Sequence, residues 1–145
     1  MPIHRNDVVA ETRRWIGTPY RHQASLRGIG CDCLGLVRGV WRAVIGDEPE
    51  HAPPYAPDWA EATGEESLAN GAARHLVAIP LDRFLPGDVL LFRWRAHLPA
   101  KHAAIVTTAG TMVHAHDGAA VAEVALAPFW RRRLAFAFQF PVVVG

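Results

Sequence analysis

Apolar residues recur at helical spacing in the first half of the chain and in short runs in the second half. The clearest helical stretch begins at Cys33 and is expected to run to about Ile45, because apolar residues follow at steps of three and four and Gly46 is a natural stop. Its apolar stripe consists of Leu36, Val37, Val40, Trp41 and Val44. A glycine-containing loop, residues 17–30, leads into this helix.

Two further helices are predicted, one on each side of the central one. Asn6 is expected to cap the first helix, which ends at Gly17. Its inward-facing residues are Val8, Val9, Thr12, Trp15 and Ile16. A proline-rich connection, residues 49–57, follows the central helix. Asp58 is then expected to cap a helical stretch from Trp59 to Ala78.

The second half of the chain has the period of β-strands. After the turn Pro86-Gly87-Asp88, apolar runs are separated by Gly- and Pro-containing turns. The predicted strands are residues 89–94, 102–108, 111–116, 119–126 and 134–140, with a helical turn at 127–133. Because helices come first and strands second, the layout is α+β, with an antiparallel sheet in a single domain of residues 1–145.

A hairpin is predicted to bring histidines together. If Thr108-Ala109-Gly110 is a three-residue loop with Gly110 in the left-handed conformation, Thr107 pairs with Thr111. The same register pairs Ala104 with His114 and His102 with His116. The three histidines then project from one face of the sheet, since positions two apart on a strand share a face.

A thiol and two same-face histidines are the parts of a Cys-His hydrolytic site. Cys33 lies at a helix N-terminus, where unpaired N–H groups favour negative charge, so we expect a lowered thiol pKa and assign it as the nucleophile. His102 is expected to act as the base and His114 to orient it. The oxyanion would bind the Cys33 N–H and Tyr20.

Two neighbouring residues need separate assignments. His116 competes with His114 as the orienting residue, because it lies on the same predicted face. Cys31 precedes the helix and is expected to be a packing residue.

Charge and the distribution of apolar residues argue against two classes of function, nucleic-acid binding and insertion into a membrane. The formal net charge of +1 argues against a general nucleic-acid binder, although Arg131, Arg132 and Arg133 form a local cluster. No apolar run approaches the length of a membrane span, and the N-terminus has no long apolar segment of a signal peptide. We therefore expect synthesis in the cytosol.

The combined motifs resemble the NlpC-type cell-wall cysteine peptidases, which have a papain-like fold. Residues 32–36, DCLGL, are similar to the block that opens the central helix of that family, and residues 86–89, PGDV, to its entry into the first strand. His102 matches the base and His114, twelve residues later, the orienting histidine. Tyr20 matches the tyrosine of the loop before the nucleophile.

The chain departs from the family pattern at three positions. Leu34 stands where a serine is usual, and Ala103 and Ala104 replace Val-Gly after the base. None of the three is a proposed catalytic side chain, but the floor of the cleft could differ, which leaves the exact substrate open.

The resemblance implies a cysteine peptidase or amidase that cuts peptidoglycan stem peptides, typically between D-glutamate and the diamino acid, without a cofactor or metal. The sequence around Cys33 is most similar to that of the peptidases of phage tails and gene transfer agents. This subgroup implies delivery to the cell wall or periplasm as part of a phage-like particle, with tail proteins as partners.

Three alternatives remain open. Cys31, Cys33, His102 and His114 could bind zinc, although a C-x-C spacing is a poor match to structural zinc sites. The chain could be a non-catalytic structural tail module. It could also be an acyltransferase that uses the same Cys-His chemistry on lipids, although no apolar anchor or basic amphipathic helix supports this.

Overall fold

The central feature is a six-stranded sheet. The structure is a computed structural model, and it describes residues 2–49 and 65–145. The strands of the sheet are β4 (Val77–Ile79), β5 (Val89–Phe92), β6 (His102–Thr108), β7 (Thr111–His114), β8 (Ala122–Ala125) and β9 (Leu134–Gln139). Their order is β4-β9-β5-β6-β7-β8, and every neighbouring pair is antiparallel. The predicted α+β class is confirmed.

The helices are α1 (Arg5–Arg13), α2 (Cys33–Val44), α3 (Ser67–His75) and the short α4 (Pro128–Arg131). Two small ladders accompany the main sheet. Strand β1 (Ile3–His4) pairs in parallel with β10 (Val143–Val144), and β2 (Ser25–Leu26) forms a hairpin with β3 (Gly30–Cys31).

Each face of the sheet carries its own apolar cluster. Helices α1 and α2 cover one face, where the buried residues include Val8, Trp15, Leu36, Val40, Ala103 and Ile105. The opposite face buries Leu90, Phe92, Ala104, Val106, Met112, Leu126 and Ala137. Strands buried on both faces explain why the apolar runs of the second half show little alternation.

Helix α2 lies close to α1 because Gly39 has no side chain. A Cβ at Gly39 would overlap the indole of Trp15, which is 3% exposed and donates from Nε1 to Glu11 at 3.1 Å. This close packing fixes α2 against the sheet and therefore fixes the position of Cys33 at its first turn.

The first helix starts earlier than predicted. Its N-cap is His4, whose N–H donates to the carboxylate of Asp7 at 3.4 Å, so Asn6 lies inside the helix. Ile16 is 45% exposed, because regular helix ends at Arg13 and the following turn no longer keeps the helical stripe.

The third predicted helix is only partly confirmed. Its described part is α3, and residues 58–64 of the prediction, like most of the proline-rich connection, lie outside the described residues. Val77 and Ala78 form strand β4 instead, because they pair with Gln139 and Phe138 at the edge of the sheet. Tertiary pairing overrides local helical propensity there.

The hairpin closes differently from the prediction. Ile105 pairs with Val113 and Val106 with Met112, which is the predicted register, but Thr108 rather than Thr107 pairs with Thr111. A bulge between Val106 and Thr108 absorbs the extra residue, and Gly110 does not have a positive φ. On the side of the bulge away from the turn, the two strands keep the predicted register. The histidines are therefore placed as expected.

Candidate active site

Asp32 positions Cys33 at the N-terminus of α2. Asp32 is the N-cap, and its Oδ1 accepts a hydrogen bond from the N–H of Gly35 at 2.7 Å. Its Oδ2 accepts from the N–H of Gln23 at 2.7 Å, and Gln23 has φ of +66°. The carboxylate therefore joins the loop that carries Tyr20 to the helix that carries Cys33. Aspartate directly before an apolar helical run is an N-cap signal, and this role could have been predicted from the sequence.

Gly35 allows the loop to lie against the helix. A Cβ at this position would overlap the carbonyl of Ala24, and the hydroxyl of Ser25 donates to the Gly35 carbonyl at 2.6 Å. Glycine is therefore required where the D-C-x-G block turns into the helix.

The resting state of Cys33 is a thiol. Burial and the nearby Asp32 carboxylate raise the pKa of the Cys33 thiol to about 12, although the N–H groups of Ala103, Leu34 and Cys33 itself act in the opposite direction. The expectation of a lowered pKa is therefore wrong, because burial disfavours the thiolate and, as a second cause, the aspartate that caps the helix places a negative charge beside the sulfur. Its Sγ lies 3.9 Å from the carbonyl oxygen of Lys101.

His102 and His114 meet as predicted. Nε2 of His102 lies 2.8 Å from Nδ1 of His114, and both side chains are buried. His102 is the first residue of β6, and the register that pairs Val106 with Met112 places both histidines on the same face of the sheet.

His116 lies beside this pair. Its ring centroid is 5.5 Å from that of His102 and 5.6 Å from that of His114. Strand β7 ends at His114, so the predicted cross-strand pair of His102 with His116 does not form. The hydrogen-bond partner of the His102 ring is His114, and His116 lines the cleft instead.

Both buried histidines are held in the neutral state. Burial lowers the pKa of His102 well below 6.5, and the neighbouring His114 and His116 rings lower it further. Burial and His116 lower the pKa of His114 to about 4. At neutral pH the site therefore holds an uncharged thiol and two uncharged imidazoles.

The hydrogen bond specifies which nitrogen of His102 can act as a base. Nε2 faces His114, which leaves Nδ1 to accept a proton from another group. In that arrangement Nε2 carries the hydrogen and Nδ1 of His114 is the acceptor.

Two tryptophans that the sequence analysis did not identify pack against His102. The ring centroid of Trp94 is 5.5 Å from that of His102 with planes inclined by 25°, and that of Trp130 is 5.4 Å away with planes inclined by 28°. Trp130 also packs edge-on against His114 at 5.1 Å. Trp94 lies in the loop after β5 and Trp130 in α4, so no local spacing connects them to the histidines.

Tyr20 keeps its proton. Burial, the nearby Cys33 and the carboxylates of Asp32 and Asp117 raise the pKa of the Tyr20 phenol to about 12. Tyr20 forms an isolated parallel β-bridge with Cys31, shortly before α2. This bridge holds the loop beside the nucleophile. A neutral phenol at this position can donate a hydrogen bond to a developing oxyanion.

These residues share one cleft. Its lining includes Tyr20, Cys33, Trp94, His102, His116 and Asp117. Leu34, one of the departures from the family pattern, also lines it. The arrangement places a nucleophile, a base and a neutral donor around one open space, which suits attack on a carbonyl.

The other cysteine is part of the core. Cys31 is completely buried in the apolar cluster under α2, and burial, the Asp32 charge and Cys33 raise its thiol pKa to about 12.

Among residues 2–49 and 65–145, no three His, Cys, Asp or Glu side chains are arranged to hold a metal ion. In the same part of the chain, no helix has both the length and the apolar character of a membrane span.

Comparison with known proteins places the chain in a family. A profile of the NlpC/P60 family matches residues 17–138, which is more than half of the chain. A comparison with curated protein sequences finds no significant match.

Solved structures share the fold at low sequence identity. An NlpC/P60 family protein from Bacillus cereus is 19% identical with a TM-score of 0.70, over 97% of this chain and 41% of that protein. The NlpC/p60 domain of the peptidoglycan hydrolase SagA is 23% identical with a TM-score of 0.64, over 94% of this chain and 98% of that domain. Ly7917, also solved with the hydrolysis product of MDP, is 14% identical with a TM-score of 0.57 for that complex, over 94% of this chain and 63% of that chain. The chain thus spans less than half of the Bacillus cereus protein, and what it shares with these structures is the papain-like fold. On the strength of the family match, the chain belongs to the NlpC/P60 family.

Proposed function

We propose that this domain hydrolyses amide bonds in peptidoglycan stem peptides through Cys33 as nucleophile, His102 as general base, His114 as the orienting residue and Tyr20 as an oxyanion donor. The observation that carries the proposal is the 2.8 Å contact between Nε2 of His102 and Nδ1 of His114, in a cleft that His102 shares with Cys33. This contact leaves Nδ1 of His102 unengaged by His114, and His102 and Cys33 line the same cleft.

Acylation begins with Cys33 as an uncharged thiol and His102 as an uncharged imidazole. Because the thiol pKa is raised and the imidazole pKa lowered, proton transfer from Sγ to Nδ1 of His102 accompanies attack on the carbonyl carbon rather than preceding it. The oxyanion accepts hydrogen bonds from the Cys33 N–H and the Tyr20 hydroxyl. Collapse of the tetrahedral intermediate breaks the C–N bond, and His102 donates its proton to the leaving amine.

Deacylation repeats these steps with water. His102 takes a proton from the water molecule as the oxygen attacks the thioester carbonyl, and the second tetrahedral intermediate expels the sulfur. The sulfur recovers the proton from His102, which restores the neutral pair. Throughout both steps, Nδ1 of His114 accepts the hydrogen bond from Nε2–H of His102 and holds the ring in one tautomer.

We further propose that the scissile bond joins D-glutamate to the diamino acid and that the domain serves a phage-like tail that penetrates the cell wall. The first statement rests on the resemblance to the NlpC-type family, whose motif matches span residues 17–116, and the second on the similarity of residues 31–41, CDCLGLVRGVW, to the phage-tail subgroup. The domain would then be made in the cytosol and carried to the wall or periplasm by tail proteins.

Digestion of purified sacculi tests the proposal. Wild type and Cys33→Ala are compared with Cys31→Ala as the matched control, and released fragments are identified by mass. We expect stem-peptide fragments with new D-glutamate carboxyl ends from wild type and Cys31→Ala, and none from Cys33→Ala. Equal release by Cys33→Ala would contradict the assigned nucleophile, and a different new terminus would correct the scissile bond.

The non-catalytic tail module and the lipid acyltransferase predict a different result. Under either alternative, folded wild-type protein with a reduced thiol releases no stem-peptide fragments.

A further inference from the structure

Two indole rings lie next to the ring of His102. The centroid distances of 5.5 Å to Trp94 and 5.4 Å to Trp130, with planes inclined by less than 30° in both pairs, place both indoles within about 6 Å, the range of a cation–π interaction. The two indoles contact each other at 5.8 Å, so together they form one aromatic wall beside the imidazole.

Within residues 2–49 and 65–145, no carboxylate is hydrogen-bonded to His102 to balance a positive charge on its ring. The ring that orients it is His114, a neutral imidazole with its own lowered pKa, and His116 adds a second imidazole. From α2 the facing group is the Cys33 thiol. The charged groups that line the cleft are Asp32, Lys101 and Asp117. Asp32 already accepts hydrogen bonds from two backbone N–H groups.

We propose that Trp94 and Trp130 are positioning residues that stabilise the imidazolium form of His102 through their π faces. The inference rests on the proposed role of His102 as the base, since that role requires the ring to carry a positive charge in the transition state. The aromatic wall thus supplies, without a formal charge, part of the stabilisation that a carboxylate supplies in a Cys-His-Asp site.

The loop that carries Trp94 is fixed by Glu66. Its Oε2 lies 3.0 Å from the guanidinium of Arg93, and its Oε1 accepts a hydrogen bond from the N–H of Ala100 at 2.7 Å. Arg93 also donates to the carbonyl of Leu98 at 2.7 Å. Both ends of the loop are therefore held by one carboxylate, and Trp94 between them has a defined position.

Trp130 is fixed by two phenylalanine rings. Its ring packs edge-on against Phe92 at 5.2 Å and against Phe129 at 5.0 Å. Trp130 and Trp94 differ in one respect, since Trp94 lines the cleft and Trp130 is not among its lining residues. Changes at Trp130 should therefore act on kcat, whereas changes at Trp94 should act on both kcat and KM.

Site-specific incorporation of mono-, di- and trifluorotryptophan at position 94 tests the proposal. Fluorine withdraws electron density from the π face while it nearly preserves ring volume, so a packing role predicts no trend. The matched control is the same series at Trp41, whose centroid lies 6.4 Å from Phe140 and whose Nε1 donates to the carbonyl of Asp47, away from the cleft.

Two readouts do not require the wall substrate. The first is the pKa of His102, followed by NMR of the labelled ring. The second is the rate at which iodoacetamide alkylates Cys33 near neutral pH, mapped by mass. We expect both to fall with each added fluorine at position 94, with a total change of about 3- to 30-fold in the alkylation rate, and to stay constant in the Trp41 series. Constant values in the Trp94 series would overturn the proposal.

The two proposals can fail separately. A graded fall in the pKa of His102, with no sacculus hydrolysis by wild type, supports the aromatic stabilisation and contradicts the proposed peptidase function. Hydrolysis by wild type that is unaffected by fluorination, with a constant pKa of His102, supports the peptidase and contradicts the aromatic stabilisation.

Discussion

The carboxylate of Asp32 accepts a hydrogen bond from the backbone of Gln23, so that the strained turn before the nucleophile is held by the residue that caps the nucleophile helix. The charge that provides this connection also raises the pKa of Cys33. Structural support and thiol reactivity are therefore opposed at Asp32.

Asp32→Asn is expected to destabilise the fold and to make Cys33 more reactive. The asparagine amide has only one oxygen and cannot accept both hydrogen bonds, and the loss should lower the free energy of unfolding by about 1–3 kcal/mol. Removal of the negative charge should lower the pKa of Cys33 and speed its alkylation. Urea denaturation and alkylation rates measure the two effects, with the exposed Asp47→Asn as the control. Slower alkylation would show that the cap acts on the thiol only through geometry.

His114→Ala is expected to reduce kcat by about 10²-fold, because His102 loses the partner that holds its tautomer. His116→Ala should have a much smaller effect, since His116 is in ring contact but does not supply that hydrogen bond. Steady-state kinetics on a stem peptide separates them. A larger loss in His116→Ala would transfer the orienting role to that residue.

Tyr20→Phe is expected to lower kcat by about 10²- to 10³-fold while it leaves iodoacetamide alkylation of Cys33 unchanged. The hydroxyl is needed only where an oxyanion forms, and alkylation forms none. Alkylation that slows in parallel with kcat would indicate that Tyr20 acts on the thiol instead.

Stability is expected to decrease as the pH falls below about 6.5. The pKa values of His102 and His114 are lowered on folding, so the unfolded chain binds more protons between the folded and the unfolded values, and acid favours unfolding. The stability is fully present above the unfolded value of 6.5 and is lost toward pH values of about 4, with a slope of up to about 1.4 kcal/mol per pH unit for each histidine.

Urea denaturation across this pH range measures the slope, and His114→Asn should reduce it. The same depressed values should keep the base active below the usual titration range of histidine, so the acid limb of kcat/KM should lie below pH 6.5. An acid limb at or above that value would contradict the neutral resting state.

Glu66→Gln is expected to lower kcat several-fold with little change in the free energy of unfolding. The ion pair with Arg93 is partly exposed and contributes about 1 kcal/mol or less, but it fixes the loop of Trp94. The matched control is Glu48→Gln, which removes a carboxylate that pairs with Arg38 and Arg42 at the far end of α2. Equal effects of the two changes on kcat would contradict a positioning role for Glu66.

Much of the site followed from local pattern, and the rest depended on tertiary structure. The helical stripe after Cys33 and the register of the hairpin are set by periods of 3.6 and 2, which the sequence displays directly. Trp94 and Trp130 reach His102 from separate elements, and no local rule relates their positions. The thiol pKa failed as a prediction because the helix N-terminus was considered without the burial and the carboxylate that oppose it.

The position of β9 between β4 and β5 has a consequence for biosynthesis. Until Leu134–Gln139 has emerged from the ribosome, β5 lacks one of its two neighbours, and its fully buried residues Val89–Phe92 have an open hydrogen-bonding edge. The nucleophile, the base and its partner are all translated before that strand. A nascent chain that already contains every proposed catalytic residue is therefore still incompletely folded, and its activity should appear only with the last strand of the sheet.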